Sequence, residues 1–112
     1  MRIHTDHNGV YVNALTTLAD NPDVEGHLYC VQAGTQLTTL AFQTGGVVDN
    51  GVNGLTSEAL LAALIHRTKF LDGKFPCEEN KRAIQAMEEA LKALEERTTK
   101  RLARGVEGKE AL

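Results

Sequence analysis

"PCEENKRAIQAMEEALKALEERTTKRLARG", residues 76–105, decides the fold. Ile84, Met87, Leu91, Leu94 and Thr98 recur in alternating steps of three and four, which is the seam of a coiled-coil-like helix. Pro76 suits the first turn, Arg104 the last, and Gly105 a stop. At a rise of roughly 1.5 Å per residue, such a helix is about 40 Å long. The stretch before it, "TSEALLAALIHRTKFL" (56–71), reads as a second, shorter helix capped by Thr56. Leu55 and Leu60 stand at staple positions, and Leu60, Leu61, Leu64, Ile65 and Thr68 form its apolar face. "DGKFPC" (72–77) turns the chain between the two. The longer helix outreaches the shorter one, so part of its seam is expected to meet another copy of the chain.

Upstream of the helices the pattern changes from a period near 3.6 to β-rich runs. "HLYCV" (27–31) and "LTTLAFQ" (37–43) read as strands, joined by a loop at residues 32–36 that contains Gly34. "TGGVVDNGVNG" (44–54) reads as a turn-rich loop, with a short strand at Val47–Asp49. The first 25 residues are the least legible. Val12, Leu15, Leu18 and Ala19 have helical spacing, whereas Val10–Val12 can begin a strand, and residues 21–23 form a turn. The expected fold class is α+β: a small N-terminal antiparallel β-sheet, then a two-helix antiparallel hairpin with a long C-terminal helix, assembled as an oligomer. One domain spans 1–112, with a β-containing part at 1–55, a hairpin at 56–108 and a tail at 109–112.

The chain has 112 residues and a net charge of -3, unevenly placed. Residues 1–55 carry one basic and five acidic side chains, and residues 56–112 carry eleven and ten. No half is basic enough to favour polymeric nucleic acid. Cys30 and Cys77 lack metal or CxxC spacing and read as reduced thiols, so no metal and no cofactor are expected. No apolar run reaches membrane-spanning length, and the start lacks the apolar core of a signal peptide. His4 and His7 read as part of a flexible terminus. No paired general acid and base stands out, so no enzyme is expected.

Arg97, Arg101 and Arg104, spaced i, i+4, i+7, border the seam near the helix end. Two readings fit them. They complement the helix macrodipole and pair with nearby glutamates, or their guanidinium forks clamp a phosphate group. Phe70 and Phe75 either close the hairpin end or offer a stacking surface to a nucleobase. Asn80 either caps the long helix or reads a base edge or ribose hydroxyl. "GVNG" (51–54), with Val52 and Asn53, either connects elements or holds an anion through its backbone N–H groups.

Three motifs taken jointly carry a family resemblance: GVNG-x-T-x-E-x-LL, F-x-x-GxFPC-x-EN and R-T-x-x-R-x-x-RGVEG, over residues 51–108. They resemble the phage Thoeris anti-defence protein one family, whose helical hairpin is shared with the shorter anti-CBASS cyclic-nucleotide sponges. The resemblance implies a sponge that sequesters ribose-linked cyclic ADP-ribose isomers made by bacterial Thoeris TIR proteins, without degrading them. It implies a dimer or hexamer acting in the host bacterial cytoplasm. It implies that Phe70 stacks on adenine, Asn80 hydrogen-bonds the ligand, and Arg97 with Arg101 holds the pyrophosphate. Arg104, Val52 and Asn53 are added to that site from their own chemistry. The alternatives are a sponge for CBASS cyclic di- and trinucleotides, in a second pocket or the same one, and a helical assembly module that binds no ligand.

Overall fold

A computed structural model describes residues 1–18 and 22–105. Its order is β1 (Arg2–Thr5), β2 (Tyr11–Leu15), β3 (Leu28–Ala33), β4 (Gln36–Ala41), α1 (Val47–Asn50), α2 (Ser57–Lys74) and α3 (Glu78–Ala103). The chain divides into two compact units, Met1–Leu55 and Thr56–Leu112. The class is α+β, as the change of period predicts. The tail at 109–112, Ala19 and the first residue of the 21–23 turn lie outside the described residues.

The first unit is a four-stranded antiparallel meander in the order β1-β2-β3-β4. Residues 11–15 form a strand and not the helix their spacing also allows. Val12 pairs with Val31 and Leu15 with Leu28, so cross-strand partners outweigh the helical period. His4 pairs with Val12 inside β1 and is not loose terminus. The β3–β4 turn is tight: Ala33 pairs with Gln36, and Gly34 takes φ 60°, the left-handed conformation such a two-residue turn requires. Val24 and Leu28 are buried, and Tyr29 meets Phe42 edge-on at 5.8 Å.

Val47–Asp49 is helical and not a strand. The Asn50 N–H bonds the Gly46 carbonyl at 2.9 Å, the Asn50 Nδ2 donates to the same oxygen at 3.1 Å, and Gly51 ends the turn at φ 68°. These local bonds supply a complete helical turn where a strand would find no partner. The chain then returns beside the sheet, where Leu55 makes a parallel bridge to Phe42. Gly54 is what allows this approach, because a Cβ there would lie 2.5 Å from the Phe42 carbonyl carbon.

The second unit is the antiparallel hairpin of α2 and α3. Thr56 caps α2, its hydroxyl accepting the Ala59 N–H at 3.1 Å. The helix runs on through Gly73 to Lys74, three residues past its expected end at Leu71, because Pro76 and not Gly73 stops it. Pro76 lies before α3, whose N-cap is Cys77. The Cys77 Sγ accepts the Asn80 N–H at 3.4 Å, so Asn80 sits at the third helical position and is not the cap. The less exposed positions of α3 are Asn80, Ile84, Met87, Leu91, Leu94, Thr98 and Arg101. This is the predicted seam, extended by one step at each end. On α2 the matching face is Leu61, Ile65 and Thr68, with Ile65 buried. Leu64, placed on that face by its spacing, is 46% exposed, one step around the helix from the contact line. Two ion pairs set the antiparallel register: Lys81–Asp72 at 3.2 Å and Lys69–Glu88 at 3.5 Å.

Candidate functional site

The register of the hairpin locates the arginines. Extrapolating from the two ion pairs, Ser57 at the start of α2 comes level with residues 96–100 of α3. Arg97, Lys100, Arg101 and Arg104 therefore stand at and beyond the end of α2. There α3 has 26 residues to the 18 of α2. A groove of about 310 Å³ lies here, lined by Ala93, Glu96, Arg97, Lys100, Arg101 and Arg104. Four cationic side chains face one carboxylate, a local formal charge of +3 in a chain of net charge -3. The C-terminal end of the helix dipole is negative and lowers the cost of gathering them.

The three arginines are not equivalent. Arg101 is 5% exposed and falls on the heptad line of the seam residues, three positions after Thr98. It is engaged within the chain, as a buried guanidinium must be. Arg97 and Arg104 are exposed and leave the helix on the groove side. Lys100 completes the set. It is three residues from Arg97 and four from Arg104, a helical spacing that the sequence displays but the reading of arginines alone passed over. The same face continues N-terminally as Ala83, Ala86, Ala90 and Ala93, all exposed. α3 thus carries two parallel heptad lines. One (80, 84, 87, 91, 94, 98, 101) packs on α2. The other (83, 86, 90, 93, 97, 100, 104) is open, small at first and then cationic.

Phe70 and Asn80 occupy the opposite end of the hairpin, at the turn. Phe70 is 58% exposed and so does not close the hairpin; the Lys74 ammonium lies 4.8 Å from its ring centroid. Asn80 donates from Nδ2 to the Phe75 carbonyl at 3.3 Å. Asp72 organises the rest of the turn. Its carboxylate accepts the Cys77 N–H at 3.1 Å and the Lys81 ammonium at 3.2 Å. The Cys77 N–H first, then Lys81 and the Asn80 amide, hold its pKa below the ordinary 3.8 against the opposing effect of desolvation. Asn80 and Arg97 are 17 residues apart on one helix, about 25 Å along its axis. One protomer therefore does not bring Phe70 and Asn80 to the arginines.

Val52 and Asn53 belong to the first unit. Val52 is 82% exposed. The Asn53 side chain accepts the Thr44 N–H and donates to the Thr44 carbonyl, both at 2.9 Å, while its own N–H donates to the Gln43 Oε1 at 2.9 Å. These bonds close the 44–53 loop and occupy both ends of the Asn53 amide. The first unit has its own open cavity of about 250 Å³, lined among others by Val24, His27, Leu28 and Phe42. Among the described residues no group of three or more His, Cys, Asp or Glu side chains is placed to hold a metal ion. No helix there is long and apolar enough to cross a membrane.

Comparison with known proteins bears on both units. The family model described as Acb2/Tad1, hairpin domain matches residues 38–99, 62 of the 112 residues. Phe70, Asn80 and Arg97 fall within the match, and Arg101 and Arg104 just beyond it. A curated protein, Thoeris anti-defense 1 of Bacillus phage SBSphiJ7, is 46% identical over 74 residues. That alignment takes in 65% of this chain and 52% of the relative, so the chain spans about half the length of the curated relative it matches.

Proposed function

The chain belongs to the Acb2/Tad1 hairpin-domain family, and on that premise we propose that it is a phage anti-defence sponge. It binds a ribose-linked cyclic ADP-ribose isomer in the cytoplasm of the infected bacterium and returns it intact. The observation that carries this reading is the cationic groove at the end of α3. Its size, about 310 Å³, accommodates part of a dinucleotide. The exposed guanidinium forks of Arg97 and Arg104 match phosphate oxygens in bidentate geometry, with Arg101 lining the groove beside them.

The separation of the two ends of the hairpin makes the site a joint one. A cyclic dinucleotide is far shorter than 25 Å, so Phe70 and Asn80 reach the ligand held by Arg97 and Arg101 only from a second copy. An antiparallel pair of α3 helices accomplishes this, laying the turn of each protomer beside the arginines of the other. The exposed line Ala83, Ala86, Ala90 and Ala93 is small enough for close helix approach. Antiparallel helices also align their dipoles favourably. The adenine then stacks on Phe70, Asn80 bonds the nucleoside, and the arginines take the pyrophosphate. Capture needs affinity and no turnover. A nanomolar dissociation constant, about -12 kcal/mol, is within reach of several charge-assisted hydrogen bonds and one base stack.

The test is to incubate the protein with lysate from cells whose Thoeris TIR protein has been activated, wash it, and heat-denature it. Mass spectrometry of the released fraction is expected to show an unmodified cyclic ADP-ribose isomer. A cyclic di- or trinucleotide in its place reassigns the ligand to CBASS signals. A hydrolysed product makes the protein an enzyme and overturns the proposal.

A further inference from the structure

The chain has three phenylalanines, and they are placed unequally. Phe42 packs against Tyr29. The other two, Phe70 and Phe75, lie five residues apart at one hairpin turn, 58% and 73% exposed. Phe75 is the more exposed, yet its backbone is braced on both sides. Its N–H donates to the Leu71 carbonyl at 2.8 Å, and its own carbonyl accepts the Asn80 Nδ2 at 3.3 Å. Pro76 follows and keeps it out of the helical region, with φ at -135° and ψ at 72°. Two residues on, the Cys77 N–H is tied to Asp72, which Lys81 holds in turn. The turn is thus built to present an apolar ring to solvent from a fixed position.

Phe70 supplies the second part of the argument. Lys74 occupies one face of its ring, at 4.8 Å from the centroid. A purine stacked on Phe70 takes the opposite face, leaving its own second face bare. Phe75 is the next ring along the same turn. Burying it against an aromatic ligand removes apolar surface from water at little entropic cost, because the backbone that carries it is already fixed.

We propose that Phe75 is a second ligand-contacting ring, packing on the purine nucleoside that Phe70 stacks. The inference rests on the nucleotide-binding reading and assigns a further recognition residue to that site. It makes the turn selective for ligands carrying an aromatic base, whereas the arginine groove responds to phosphate alone.

The experiment uses the full chain and two probes: the ribose-linked cyclic ADP-ribose isomer and inorganic pyrophosphate, which lacks a base. Phe75→Ala is expected to weaken the cyclic ADP-ribose isomer about tenfold, the lower part of the range for loss of one stack. Phe75→Tyr is expected to restore binding to within about twofold of the parent, since the ring face is kept. Pyrophosphate affinity and native mass should be the same in both variants as in the parent. The proposal is overturned if Phe75→Ala binds the isomer as tightly as the parent. It is equally overturned if Phe75→Ala loses pyrophosphate in the same proportion or changes the native mass, because Phe75 then serves assembly. Phe70→Ala and Arg97→Ala separate the two levels. If both weaken the isomer while Phe75→Ala does not, only this inference fails. If neither weakens it, the underlying reading fails as well.

Discussion

Replacing Arg97 and Arg101 one at a time separates ligand recognition from folding, because the two guanidinium groups sit in different environments. Arg97 is exposed and lines the groove; Arg101 lines it too but is 5% exposed and falls on the seam line of α3. Arg97→Ala removes a surface cation near a helix C-terminus, a loss of at most about 1 kcal/mol of stability. In the proposed complex it also removes a bidentate, charge-assisted pair with the pyrophosphate. Truncating such a buried pair costs about 2–5 kcal/mol, which is a dissociation constant raised by roughly 30- to 5,000-fold. Arg101→Ala carries the same binding loss and in addition deletes seam packing and a satisfied buried group, about 1–3 kcal/mol of stability. The assays are isothermal titration with the cyclic ADP-ribose isomer and urea unfolding followed by helical circular dichroism. The expected pattern is weak binding with near-parental unfolding for Arg97→Ala, and weak binding with an earlier midpoint for Arg101→Ala. If Arg97→Ala binds like the parent, the phosphate clamp is refuted. If Arg97→Ala unfolds as early as Arg101→Ala, the division of roles between the two is refuted.

Three further outcomes are expected. Asp72 has a lowered pKa, so the stability it contributes is fully present above pH 3.8 and is lost as pH falls below that value through its folded pKa. Unfolding midpoints measured between pH 3 and 6 should fall at the acid end in the parent and less steeply in Asp72→Asn. Gly54→Ala places a Cβ 2.5–2.8 Å from the backbone of Ala41 and Phe42, which cannot move aside as a side-chain tip can. It should destabilise the first unit by about 1–3 kcal/mol, read by urea unfolding of near-ultraviolet tyrosine signal. Ala90→Trp puts a bulky ring on the open alanine line and should leave the hairpin helical. Native mass spectrometry should show the proposed antiparallel pair lost and titration the ligand lost with it; retention of both would refute pairing through this line.

The hairpin was the legible part of this sequence because its signals are local. A five-member seam at heptad spacing, a threonine cap and a proline-containing turn each determine nearby backbone, and α2 and α3 follow from them. The sheet was legible only where a tight turn joins adjacent strands, at Gly34. β2 was ambiguous because Val12, Leu15 and Leu18 have helical spacing whereas Val10–Val12 can begin a strand, and the pairing with β3 that decides the matter is remote in sequence. α1 was misread because two valines favour a strand in isolation, whereas the Gly46 carbonyl and the Asn50 side chain complete a single helical turn. In the site, helical spacing placed the arginines on one side of α3. Continuing the heptad seam past Thr98 reaches Arg101 and not Arg97, so the spacing held the difference between the buried and the exposed arginine, which grouping the three by charge passed over.

The end of α2 also explains why α3 is as long as it is. A helix that served only the hairpin core would stop where its partner begins, level with residues 96–100. Instead α3 continues to Ala103, and the cations gather where the partner runs out. Their spacing extends both packing lines: Arg101 follows Thr98 on the buried line, and Arg97, Lys100 and Arg104 follow Ala93 on the open one. On the open line Arg97, Lys100 and Arg104 lay their aliphatic stems along the helix and keep their charged heads in water. That arrangement lowers the entropy lost when the guanidinium forks close on an anion. It also confines the positive charge to one groove, and the net charge of -3 over the whole chain opposes the approach of a polyanion. A small dianion meets the groove field alone, whereas a nucleic-acid strand is a polyanion that also meets the net negative charge of the chain. Adding acidic residues elsewhere should therefore weaken RNA binding further while leaving capture of the cyclic ligand unchanged at physiological salt, where the Debye length of about 8 Å screens distant charges from the groove.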